Sequence, residues 1–299
     1  MDILNHPLFA MAIVVCLIGE FLISIFFKKN NYSLYESFSS LTIIAIDRVL
    51  SHFTDSDSSS FAHRLWNHRL FDMPSNRAVG FALTFVAAEF VYYWAHRYNH
   101  STNLGWSTHT LHHSPTKFNF TMGYRLGVTK FISLAWVFFV PLALLGFEPK
   151  SIVLSAGIIL LYQFFIHTEL VSRLGFLESF LNTPSNHRVH HGDYPELYDK
   201  NLGGITVIFD RVFGTYAPEP KTGIHRYGFS EIMAKRNIFY EIFCHWSRML
   251  HALARARGIK EAFLAVFGSP ARLLNPMPVT VAVESGRRDA DGLCGTEQV

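Results

Sequence analysis

Four apolar stretches, at roughly 8–27, 78–96, 130–147 and 151–167, approach the length of about 20 residues that an α-helix needs to cross a hydrocarbon core of about 30 Å. No other feature restricts the fold as strongly, because lipid offers the backbone no hydrogen-bond partners outside the helix itself. A fifth stretch, 37–53, is weaker because "LTIIAIDRVL" carries Asp47 and Arg48 in its middle. Charged residues make up 16% of the chain, against roughly 25% in an ordinary globular domain, which fits a membrane class. The expected fold is an all-α integral membrane protein with four to five transmembrane helices. The first stretch lacks a basic n-region and a cleavage signal, so it reads as a retained helix.

If all five stretches span, Lys28 and Lys29, the loop 97–129 with Arg97, Lys117 and Arg125, and everything after residue 168 share one side. The positive-inside rule makes that side cytoplasmic and the N-terminus external, with Arg64, Arg69 and Arg77 voting against. The helices 130–147 and 151–167, separated only by "EPK", form a hairpin that returns to the same face. Beyond 168, frequent turn formers ("NTPSN", "GDYPE", "NLGG") describe a helical cytoplasmic cap. From Phe239, the residues Ile242, Phe243, Trp246, Met249 and Leu250 continue a helical apolar stripe, with Lys235, Arg236 and Arg248 off it. That helix either lies at the membrane interface or packs on its own cap. Residues 274–299 lack periodicity and read as a disordered tail. The three cysteines, Cys16, Cys244 and Cys294, form neither a disulfide framework nor a metal motif, and a net charge of +3 without a basic run gives no sign of nucleic acid.

Eight of the sixteen histidines fall in three boxes: "HRYNH" (His96, His100), "HTLHH" (His109, His112, His113) and "HRVHH" (His187, His190, His191). Spacings of three and four place each box on one helix face. The third box has its own punctuation: Thr183 as N-cap, Pro184 at the first helical position and Gly192 as terminator. His167, at the end of the last apolar stretch, joins them at one membrane depth on one side. Neutral imidazole is a common ligand for zinc, copper, iron and nickel, and nine exceed one tetrahedral site, so two metals with four or five ligands each fit the count. A hydrolytic zinc site would use about three histidines and a carboxylate; the excess of nitrogen donors points to a redox pair, with iron the natural choice, although ligand type alone does not separate iron from zinc or manganese. Glu89, seven residues before His96 in an apolar span, is a functional candidate that could fix the tautomer of a ligand imidazole or pair with another helix. Asn182, Asp193, Asp199 and Asp210 are further candidates around the ligands, while Tyr92 and Tyr93 read as packing residues. No dinucleotide fingerprint or haem segment is present, so a separate donor is expected to supply the electrons for oxygen chemistry.

His-x3-His, His-x2-His-His and a later His-x2-His-His between membrane helices and a cap resemble the fatty acid hydroxylase and sterol desaturase superfamily, over roughly residues 80–220. "YQFFIHTELVSRLGFLESFLNTPSNHRVHHG" followed by "DKNLGGITVIFDRVFGTY" is similar to its alkylglycerol monooxygenase branch, from which Ser101 departs where that branch carries an acidic residue. The resemblance implies a membrane-bound di-iron oxygenase that hydroxylates or desaturates a lipid C–H bond. It implies metal ligation by His96, His100, His109, His112, His113, His187, His190 and His191, with His167 as an additional ligand. Its cofactors would be two iron ions, with a tetrahydropterin or an electron-donor protein as reductant, and its substrate would enter from the bilayer. The chain then divides into N-terminal membrane helices and loop (1–77), a catalytic domain (78–220), an amphipathic cap region (221–273) and the tail. A sterol or carotenoid desaturase or hydroxylase is the alternative on the same scaffold. A histidine-rich transporter, which would line mid-membrane with ligands, and a zinc membrane hydrolase are more distant alternatives.

Overall fold

The computed structural model describes residues 7–274 except 75, 76 and 126, and leaves aside the side chains of 7–10, 52–60 and 274. Of the tail expected over 274–299, everything beyond Leu274 lies outside the described residues. Among the described residues there is no strand, only the isolated bridges Leu181–Thr206 and Gly192–Tyr227.

Helix α1 runs over Pro7–Phe26 and α2 over Leu34–Asn67. Ser33 caps α2, its Oγ accepting from Glu36 N at 3.4 Å. The Ser-x-x-Glu spacing is that of a capping box, yet the Glu36 carboxylate turns outward and accepts from Thr116 N and Lys117 N, so it fastens the segment after the second histidine box to α2. The weak stretch 37–53 is continuous helix inside α2, because Asp47 is paired with Lys130 Nζ at 2.8 Å. Helix α3 spans Arg77–Ser101 and α4 spans Asn103–His113, with Thr102 Oγ1 accepting from Gly105 N. That reversal needs glycine: a Cβ on Gly105 would lie 2.6 Å from Asn99 Cα.

The expected helix over 130–147 is absent. The chain there makes a turn, a 3-10 helix over Ala135–Phe139 and the short α5, Val140–Leu144. Pro141 has no N–H to continue a helix from its N-terminal side, and Leu134 sits in the left-handed region at φ 63°. Trp66 Nε1 donates to Gly146 O and Leu70 N to Leu144 O, so the turn after α2 and the turn before α6 (Pro149–Ile166) meet at one end of the molecule. The histidines collect at the other end. Helices α3 and α6 pack side by side, and by length and composition both can cross a membrane.

The segment after α6 carries α7 (Pro184–His191), α8 (Ile208–Phe213), α9 (Ser230–Ala234), α10 (Ile238–Ala254) and α11 (Ile259–Phe267). Thr183 Oγ1 caps α7 by accepting from Asn186 N, and the helix closes at Gly192, as its punctuation predicts. Helix α10 packs on α4, but its apolar stripe divides. Ile242 and Met249 are buried, whereas Phe239, Phe243 and Leu250 face outward. The inner face is instead shared with polar residues that have partners: Glu241 with Arg125, and His245 with Asn103.

Candidate metal centre

Boxes one, two and three lie on α3, α4 and α7, and His167 closes α6, so four helix ends converge on one point. The nine imidazoles form two groups: His96, His100, His109, His113 and His190, and His112, His167, His187 and His191. Within each group one ring nitrogen per residue lies within 4.8 Å of the others. The groups adjoin, with the His113 and His191 rings stacked at 4.2 Å.

Hydrogen bonds show which nitrogens face inward. A carbonyl or carboxylate oxygen only accepts, so a ring nitrogen bonded to one carries the proton and leaves the other as a lone pair. His96 Nδ1 donates to Leu202 O (2.8 Å), His190 Nδ1 to Lys200 O (2.9 Å), His167 Nδ1 to Gln163 O (2.6 Å) and His100 Nδ1 to Asp199 Oδ1 (3.2 Å). Their Nε2 atoms therefore point into the groups as bare acceptors. His100 Nε2 and His190 Nε2 are buried there without a hydrogen-bond partner. Around His167 Nε2 lie His187 Nε2 at 2.9 Å, His191 Nε2 at 3.2 Å and His112 Nε2 at 3.3 Å. Lone pairs gathered at this spacing, buried and without protein donors for all of them, fit bound cations and would be unfavourable otherwise. Desolvation first, and neighbouring imidazoles second, hold His109, His112, His113, His187, His190 and His191 well below the usual histidine range, which keeps them in the neutral form that ligates.

Glu89 is not bonded to an imidazole. Its carboxylate accepts from Ile205 N at 3.0 Å and from Thr206 N at 3.1 Å, and the oxygen that orients His96 is Leu202 O. Its position on α3 near His96 suggests a partner for that ring, but two main-chain amides reach the carboxylate first. Replacing Glu89 by alanine removes the acceptor from both half-buried amides, a loss of roughly 1–3 kcal/mol in total that a thermal melt in detergent would register. Tyr92 OH donates to Gln163 Oε1, and Tyr93 OH bonds Thr215 Oγ1, so both tyrosines also fasten polar groups.

Of the other candidates, Asp199 contacts His100, while Asp210 and Asn182 hold the loop beside the site. Asp193 does neither, pairing with Arg226 and Tyr198. Reading residue types misses Lys200 and Leu202, which act through main-chain oxygens, and Asn201. Gln163, a lone amide in an apolar span, carried a signal that could have found it.

Known proteins give the same region a family context. The fatty acid hydroxylase family matches residues 81–215. Alkylglycerol monooxygenase from Danio rerio is 39% identical over 207 residues, 69% of this chain and 46% of that protein. The Homo sapiens protein of that name is 39% identical over 186 residues, 62% of this chain and 41% of its own length. An ornithine lipid hydroxylase from Rhizobium tropici is 30% identical over 154 residues, 51% of this chain and 46% of that protein. The chain thus spans less than half the length of these relatives. No solved structure matches it significantly.

Proposed function

Residues 81–215 belong to the fatty acid hydroxylase family, and on that premise we propose that the chain is a membrane-bound oxygenase that hydroxylates a lipid C–H bond with two iron ions held by the nine histidines. The observation that carries this reading is the convergence of nine imidazoles into adjoining groups of five and four at the ends of two membrane-length helices. Ether lipids of the alkylglycerol type are the first substrate class to consider, since several relatives are named for them.

Iron bound at the two groups would supply the redox chemistry that activates dioxygen. The chain's own residues provide the rest. His96, His100, His109, His113 and His190 would hold one ion, and His112, His167, His187 and His191 the other. Leu202 O, Lys200 O, Gln163 O and the Asp199 carboxylate keep four of those rings in the ligating tautomer. Phe118, fully buried, stacks near His167 and shields the four-histidine group from water. The electrons come from outside the chain, from a tetrahydropterin or a donor protein.

In this reading α1, the first part of α2, α3, the broken segment 130–147 and α6 form the membrane region, and the histidines with the segment after 168 face the cytoplasm. Lys28, Lys29, Arg97 and Lys117 support that side; Arg125, neutralised by Glu241, does not count. Residues 78–220 form the catalytic domain and 221–273 a cap region, whose outward Phe239, Phe243 and Leu250 would rest on the lipid surface.

The test is incubation of the iron-loaded protein in bilayers with labelled dioxygen, a reductant and defined lipids: alkylglycerols, fatty acyl lipids and ornithine lipids. The expected result is one lipid class gaining a single labelled oxygen atom. No oxygen uptake with any of them, by protein that carries iron, would overturn the reading.

A further inference from the structure

Three of the five histidines in the first group, His96, His100 and His190, bond through their outer nitrogens to one short segment, Asp199–Leu202. They come from two helices, α3 and α7, so the segment ties together ligands that are far apart in sequence. The second group has no such support. His167 is oriented from within its own helix by Gln163 O, and the Nδ1 atoms of His112, His187 and His191 are buried without a partner.

The segment is fixed from several sides. Asp199 and Asn201 both lie in the left-handed region, at φ 59° and 53°. Asp210, fully buried at the start of α8, fixes the far end of the segment: its carboxylate accepts from Leu202 N at 2.7 Å, Gly203 N at 2.8 Å and Thr215 Oγ1 at 2.7 Å. Glu89 takes the amides of Ile205 and Thr206, and Asn182 Nδ2 donates to Gly203 O. Gly204 passes so close to Glu89 that a Cβ would lie 2.5 Å from its Oε1, so this clamp requires glycine there.

We propose that residues 199–210 are a clamp dedicated to the five-histidine group, with Asp210 as its positioning residue and Asp199 as its direct contact, so that the two metal ions are held with unequal strength. The inference rests on the proposed reading of both groups as metal centres. Asp210→Asn turns an amide nitrogen toward one of the main-chain amides that Asp210 now binds. The left-handed backbone at Asp199 is compatible with glycine, and Asp199 is exposed, so Asp199→Gly removes the contact to His100 without risk to folding. Partners that orient metal-bound imidazoles typically contribute 10–100-fold in affinity.

The experiment is competition for Fe(II) between a chelator and the full-length protein in detergent, following iron content as chelator rises. The parent is expected to release its two ions in two steps. In both variants the step that empties the five-histidine group, the later one in the parent, should come at 10–100-fold lower chelator, with the step that empties the four-histidine group unmoved. A merely structural role would shift both steps together, and that result, or no shift in Asp199→Gly, would overturn the clamp alone. A parent that binds only one ion would overturn the two-centre reading and the clamp with it.

Discussion

Replacing His190 by alanine is expected to empty the five-histidine group and to lower lipid oxygenation on the order of a thousandfold, while the protein remains inserted in the membrane. The His190 ring lies 4.7 Å from those of His96 and His113, 4.8 Å from that of His100 and 6.5 Å from that of His109. Its side chain is buried and its Nε2 has no partner among the protein atoms, so its removal takes away one of the five inward-facing lone pairs and opens a gap in the group. A thousandfold loss corresponds to about 4 kcal/mol of transition-state stabilisation. His225, exposed and with its ring bonded to Thr222 O, is the matching control and should be silent when changed to alanine. Iron content and labelled-oxygen incorporation measure both variants; unchanged iron in His190→Ala would remove that residue from the site.

The second large effect concerns stability. Arg125 and Glu241 are both fully buried, and Arg125 Nη1 and Nη2 each reach Glu241 Oε2 at 2.8 Å. Ser39 Oγ also donates to that oxygen, and Tyr35 OH donates to Oε1, so the pair joins α10 to α2 and to the segment after the second histidine box. Glu241→Ala leaves a buried guanidinium without its counterion, a loss of about 3–5 kcal/mol. In a chain whose total stability is of order 5–15 kcal/mol, that should lower the melting midpoint in detergent by roughly 10 °C. Pairing the change with Arg125→Met, which removes the stranded charge, should recover part of the loss. An unchanged midpoint in Glu241→Ala would show that the pair does not hold α10 to α2.

How far each element was legible in the sequence depends on the distance over which its determinants act. Helical spacing within the boxes and the Thr183, Pro184 and Gly192 punctuation act over a few residues, and the structure shows the helices they describe. The convergence of the boxes with His167 comes from placing apolar stretches end to end, which needs no side-chain detail. Hydropathy failed at 130–147, because it counts apolar residues without registering what Pro141 does to a helix or how Leu134 turns the chain. On α10 the apolar stripe does not coincide with the buried face, because Glu241 and His245 have partners waiting for them there. Glu89 was legible as an interior carboxylate, but its partners are amides more than a hundred residues away. Lys200 and Leu202 left no trace at all, since a main-chain oxygen looks the same under every side chain.

The most direct test of the central claim is the metal content of the purified protein. Nine imidazoles divided into groups of five and four should yield two iron ions per chain when the protein is produced with iron supplied. A single zinc ion per chain, with no iron taken up on reconstitution, would contradict the account.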